Sequence, residues 1–327
     1  DHGDSVRTVR VSLSDGAQAA FTDHDNGQTS GLPLVLLHGL TQQQHYWGPV
    51  LARLAGRRVI TVDQRGHGEA SGSQVTPQSD FSIPRLAQDV IELLDQAGVP
   101  EAVVVGHSWG ASVALHTAST FPDRVRAAVL IDGGIFGPRH LVSSDRSAEE
   151  VREALRPPAL GIAETALWQA IESGDLAEYW SDDIQRALAP TFRVDEDGRA
   201  FTRLGMDRHM AVLDGLFAYD PLPDIAATTR PTWVVVCEPG VLDPSTAPAP
   251  TELADSTNPS DSASSTDPAE SLAQAWIAAR RSAIDRLGSR FYRQRWSGAH
   301  HDVPLQWPAL VAGLVETVLE HPDAGGE

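Results

Sequence analysis

Ser108 lies in the run Gly106-His107-Ser108-Trp109-Gly110, where the apolar stretch from Ala102 to Val105 breaks off and a helical pattern from Trp109 to Thr120 begins at once. A serine on so abrupt a strand-to-helix turn sits at its tip with Oγ exposed. The flanking glycines allow the bend and let the helix pack close to the strand. The Gly-x-Ser-x-Gly pattern by itself is of low specificity, since composition alone yields about 0.2 matches in a chain this long. Its position between a β-branched run and a helix carries more weight. A serine hydroxyl is a poor nucleophile until a base takes its proton, and the base needs an orienting group. The stretch from Ser297 to Pro308 supplies two adjacent histidines, His300 and His301, just after the last predicted strand.

Other motifs stand in a fixed order along the chain. His38-Gly39-Leu40 follows the third predicted strand, Asp63-Gln64-Arg65-Gly66-His67-Gly68 follows the fourth, the Gly106–Gly110 turn follows the fifth, and the histidine loop comes last. With these motifs, spread over residues 38–308, the chain resembles the α/β-hydrolases. The resemblance implies that Ser108 is the nucleophile and that the histidine preceding Asp302, His301, is the base, with His300 as the alternative. It also implies an oxyanion hole made by the backbone amides of Leu40 and Trp109.

Many relatives carry the acid after the seventh strand in a Gly-Glu-x-Asp pattern. Here that site reads Cys237-Glu238-Pro239-Gly240-Val241-Leu242-Asp243, without the first glycine and with the aspartate displaced. Haloalkane dehalogenases and zearalenone lactonases instead place it after the sixth strand, two dozen residues past the nucleophile, the spacing of Asp132 in Leu130-Ile131-Asp132-Gly133-Gly134. The resemblance therefore favours Asp132, with Asp243 and then Glu238 as alternatives. An aspartate at a strand exit can also serve only as a cap.

The elements that must position these residues are legible as alternating apolar runs and helical patterns. The runs are Val9–Leu13, Ala19–Thr22, Leu34–Leu37, Val59–Val62, Ala102–Val105, Ala127–Ile131, Thr232–Cys237 and Phe291–Trp296. They predict an α/β fold: a mostly parallel, doubly wound, eight-stranded sheet with a mainly helical cap inserted after strand six. The core halves are 1–136 and 221–327, and the cap is 137–220. Within the cap, helices are expected at Ala148–Leu155, Glu164–Ser173 and Met206–Phe217, with a hairpin turn at Asp197-Gly198. Large apolar side chains pack cores more often than they touch ligands. Trp168, Trp180, Met206 and Met210 are nonetheless the candidates to line a substrate pocket. Residues 244–268, almost all Ser, Thr, Asp, Pro and Ala, are expected to form a mobile loop, with helices at Ala273–Leu287 and Pro308–Leu319 beyond it.

Composition narrows the partners. At 327 residues the chain can bury a large core as one α/β domain with an insertion. Its net charge of −19 argues against nucleic acid and anionic membrane surfaces, and no apolar run has the length of a membrane span. The single cysteine, Cys237, excludes an intrachain disulfide. The twelve histidines show no metal-ligand spacing, and no Gly-rich phosphate loop occurs, so cofactor-free and metal-free chemistry is expected. The first ten residues lack the apolar core of a signal peptide, which favours a cytoplasmic location over secretion after removal of a leader. The resulting expectation is a serine hydrolase that cleaves a small hydrophobic carboxylic ester or lactone through an acyl-enzyme. C–C bond hydrolysis, aminopeptidase activity and non-catalytic ligand binding are the alternatives. With serine in place of aspartate as nucleophile, dehalogenase and epoxide-hydrolase chemistry are disfavoured.

Overall fold

The computed structural model describes residues 7–323 apart from 26, 28, 73, 159 and 240–267. The chain forms β1 (Thr8–Ser12), β2 (Gln18–Asp23), β3 (Leu34–Leu37), β4 (Val59–Asp63), β5 (Ala102–His107) and β6 (Val125–Ile131). Three short strands follow, β7 (Ile162–Ala163), β8 (Phe192–Val194) and β9 (Arg199–Thr202), before β10 (Thr232–Glu238) and β11 (Phe291–Ser297). Eight of them make one sheet in the order β1-β2-β4-β3-β5-β6-β10-β11. β2 pairs antiparallel with β1 and with β4, and every other pairing in the sheet is parallel.

The inner strands are largely apolar and almost wholly buried because both faces are covered, with polar side chains such as Asp63 and His107 at their carboxyl ends. Leu34, Leu36, Val103 and Val105 enter the core on one face, while Val35, Leu37 and Val104 enter the core on the other. Helices Ile83–Gln96 and Trp109–Thr120 close the second of these cores. The first begins where Ser82 Oγ accepts the Arg85 N–H at 3.4 Å, and it turns Leu86, Val90, Leu93 and Leu94 inward.

Between β6 and β10 lie the helices Ala148–Ala154, Glu164–Glu172, Asp182–Leu188 and Met206–Ala218. The expected hairpin is β8 paired antiparallel with β9, turning at Asp197 and Gly198, where Gly198 has φ +72°. β7 adds a third strand by pairing with β9. Two residues are too few to produce a readable alternation, so the sequence offered no sign of it. The helix expected at Ala273–Leu287 spans Pro268–Asp285. Proline is well suited to a first helical turn, so Pro268 opens the helix instead of closing the polar stretch before it. The remainder of that stretch, Asp243 included, falls outside the described residues. Among the described residues no helix is long and apolar enough to cross a membrane.

Candidate active site

Three side chains reach one point above the carboxyl ends of β5, β6 and β11. Ser108 follows β5 directly and has φ +54° and ψ −118°. Its turn requires both neighbouring glycines: a Cβ on Gly106 would lie 2.1 Å from the Gly110 oxygen, and one on Gly110 would lie 2.4 Å from the Leu37 oxygen. Asp132 follows β6 at φ +50°. Among the described residues only Thr41, Ser108 and Asp132 combine a side chain with positive φ; Ser108 and Asp132 line the site, and Thr41 directly follows Leu40, which lines it too. Such strain persists only where the surrounding structure holds it in place.

His301 sits in the turn after β11. Its Nε2 is 2.9 Å from Ser108 Oγ, and its Nδ1 is 2.6 Å from Asp132 Oδ2. The turn is tied down on two sides. His107 Nε2 donates to the His301 carbonyl at 2.7 Å, while Asp302 accepts from Gln42 Nε2 and the Tyr46 hydroxyl, each at 2.9 Å. His300 points elsewhere, packing its ring edge-on to Tyr179 at 6.5 Å. His301→Ala is therefore expected to reduce turnover to within about tenfold of the loss caused by Ser108→Ala, with His300→Ala costing less than about tenfold. Steady-state kcat on one substrate checks the ranking, and the reverse order would contradict this geometry.

Asp132 is buried and accepts from three directions. The Cys237 amide donates to Oδ1 at 2.9 Å, His301 Nδ1–H donates to Oδ2, and Arg280 Nη1 lies 2.5 Å from both oxygens. Burial alone would raise the Asp132 pKa, but the His301 contact, the Arg280 charge and the Cys237 amide outweigh it and hold the carboxyl below its usual range. At His301 the surrounding protein disfavours the charged imidazolium, yet the bond to Asp132 prevails and the net shift is upward from 6.5. Glu238 lies apart from the site, paired with Arg281 at 2.8 Å.

The loop after β3 supplies the opposite wall. His38 Nδ1–H donates to the Gly39 carbonyl at 2.7 Å, and its Nε2 accepts from the Gln64 amide at 3.2 Å. His67 Nδ1–H donates to the Arg65 carbonyl at 3.0 Å and its Nε2 accepts the Thr41 N–H at 3.2 Å. Burial lowers His38 to about 4 and His67 well below 6.5, so both rings are neutral, as one donor and one acceptor per ring require. The amides on either side of Leu40 are taken, that of Gly39 by Gln42 Oε1 at 3.0 Å and that of Thr41 by His67. Neither the Leu40 nor the Trp109 amide donates to another described residue, and both residues line the cavity.

That cavity, of about 420 Å³, is bounded by Ser108, Asp132, His301 and Arg280 on the polar side. Its apolar walls come from Phe136, Leu155, Leu213, Leu216, Trp276 and Ile277. Trp168, Trp180, Met206 and Met210 are not among the lining residues. Trp168 packs on Trp180 at 6.3 Å and on Phe192 at 5.9 Å, and Trp180 joins the core on the opposite face of the sheet. Helix Met206–Ala218 turns His209, Leu213 and Leu216 to the cavity, a stripe at helical spacing that leaves Met210 to one side; Met206 continues the stripe one turn earlier, at the first residue of the helix, and falls outside the lining. His209, Trp276 and Arg280 went unread in the sequence. Ala273, Trp276, Ile277 and Arg280 recur at i, i+3, i+4 and i+7, and a charge closing such an apolar stripe is the signal that was available.

The profile of the family described as alpha/beta hydrolase fold matches residues 33–170. RutD of Variovorax paradoxus, assigned by name to carbamate hydrolysis, is 30% identical over 224 residues, which cover 68% of this chain and 79% of that protein. The chain belongs to the α/β-hydrolase family. Epoxide hydrolase B of Mycobacterium tuberculosis is 33% identical to this α/β hydrolase over 206 residues, 59% of the present chain. The chain spans only about half of that relative, 54% of its length. The crystal structure of E-2-(acetamidomethylene)succinate hydrolase superposes with a TM-score of 0.64 at 21% identity, covering 97% of this chain and all of the other, a likeness of fold.

Proposed function

We propose that this α/β hydrolase cleaves a carboxylic ester or lactone with a bulky apolar part, through an acyl-enzyme on Ser108. The observation that carries this reading is the relay in which His301 stands 2.9 Å from Ser108 Oγ and 2.6 Å from Asp132. In the proposed course, Ser108 Oγ attacks the carbonyl carbon while His301 Nε2 takes its proton. Asp132 faces the resulting imidazolium and fixes the ring with Nδ1–H toward it. The Leu40 and Trp109 amides receive the oxyanion. His301 then returns the proton to the departing alkoxide, and a water activated by the same imidazole releases the acid.

Two of the relatives are named for other substrates. A serine that opened an epoxide would become an ether, which lacks the carbonyl that water needs to free the enzyme. Carbamates share the carbonyl chemistry and belong in the same panel as esters. Among the described lining residues Asp132 is the only carboxylate, and it is already engaged by Arg280 and His301, so an amine-bearing aminopeptidase substrate finds no counter-ion.

A panel of aryl esters, lactones of increasing ring size, carbamates and epoxides is expected to show turnover of esters or lactones and none of epoxides. Base action needs neutral His301. Because its pKa lies above 6.5, kcat/KM should rise with pH through a midpoint above 6.5 and fall away below it. Epoxide turnover that survives Ser108→Ala, or a midpoint below 6.5, would count against the proposal.

A further inference from the structure

Arg280 is almost fully buried, with 4% of its surface exposed, on the cavity-facing side of helix Pro268–Asp285. Its only hydrogen-bonding partner among the described residues is Asp132, reached by Nη1 at 2.5 Å, and its Nε–H has no acceptor there. A long cationic side chain is not taken out of water for packing alone, since the desolvation of an ion costs several kcal/mol. The compensation available here is the carboxylate of Asp132. That carboxylate is equally buried, and without a cation beside it burial would favour its protonated form.

We propose that Arg280 is a positioning residue that acts through its charge, fixing the Asp132 carboxylate against the His301 imidazole while opposing a positive charge on that ring. The inference rests on the reading of His301 as the general base. The Cys237 amide and His301 stay bonded to the carboxylate when residue 280 is neutral, so the direct repulsion, which makes the imidazole readier to give up its proton, is what a neutral residue there removes.

The groups facing this pair come from every neighbouring element. His107 at the end of β5 is neutral, pulled to about 4 by burial and by the charge of His301, and His209 from helix Met206–Ala218 is likewise lowered to about 4 by burial. Cys237 on β10 and Tyr46 in the loop after β3 are both pushed upward by burial and stay neutral. Asp302, next in the chain, is bonded to Gln42 and Tyr46, and Ser108 completes the set. Arg280 is thus the only cationic side chain of the set touching Asp132.

The test uses the full chain with Arg280→Gln, which keeps a donor near Asp132 and removes the charge, beside Arg280→Lys, which keeps the charge. Two readouts are taken: the acid limb of kcat/KM against pH, and the His301 imidazole titration followed by NMR without substrate. Arg280→Gln is expected to move both midpoints upward by about one pH unit, the usual scale for losing one adjacent charge. Arg280→Lys should leave both near the wild-type position and keep kcat within about tenfold. A folded Arg280→Gln whose midpoints do not move, or a folded Arg280→Lys that is inactive, overturns the proposal. If Arg280→Gln does not fold, Arg280→Lys decides by itself. The NMR titration needs no turnover, so a shift seen there without ester hydrolysis would sink the ester reading and leave the role of Arg280 standing.

Discussion

Replacing Ser108 by alanine is expected to lower kcat on the best ester by on the order of 10⁶-fold while leaving the melting temperature almost unchanged. On the proposed mechanism the loss is large because every later step depends on the covalent bond to Oγ. The fold should survive for a specific reason. The strain at φ +54° arises between the backbone and Cβ, and alanine carries the same Cβ, so the substitution neither adds nor relieves it. Among the described residues the only side-chain partner of Oγ is His301, which remains held through its carbonyl by His107 and through Nδ1 by Asp132. Kinetics on a chromogenic ester together with thermal unfolding measure both halves. A variant retaining more than a few per cent of activity would exclude Ser108 as the nucleophile.

Asp132→Asn is expected to cost on the order of 10⁴ in kcat, because the amide cannot match the imidazolium and favours the wrong tautomer of His301. Unlike Ser108→Ala, it should also destabilise the protein. Arg280 would keep its charge in a buried place with no anion opposite, and breaking one side of a buried ion pair costs roughly 3–5 kcal/mol. The two effects separate when kcat is referred to the folded fraction, measured by denaturant titration at the assay temperature. Asp243→Asn, by contrast, should cost less than about tenfold, because Nδ1 of His301 already has its carboxylate in Asp132. An active, well-folded Asp132→Asn would remove Asp132 from the mechanism.

The sheet was readable from the chain because parallel strands buried on both faces are nearly uniform in apolar side chains, as Leu34–Leu37 and Ala102–Val105 illustrate. The turn at Ser108 was readable because only glycine avoids the backbone clashes at positions 106 and 110. Which side chains line the cavity was not readable in the same way. A helix of the insert presents several apolar stripes, and only its packing decides that His209 and Leu213 face the cavity while Met206 and Met210 do not. Nor does local pattern announce the pairing of Arg280 with Asp132, which are 148 residues apart and meet only because helix Pro268–Asp285 lies across the end of β10.

The most direct measurement of the central claim is covalent labelling with an active-site-directed fluorophosphonate, followed by peptide mass spectrometry. The phosphonyl group imitates the tetrahedral centre, and only a serine with a base at hand reacts with it quickly. One adduct per chain is predicted, on the peptide carrying Ser108, absent from Ser108→Ala and strongly slowed in His301→Ala. An unlabelled protein, or an adduct placed on any residue other than Ser108, would contradict it.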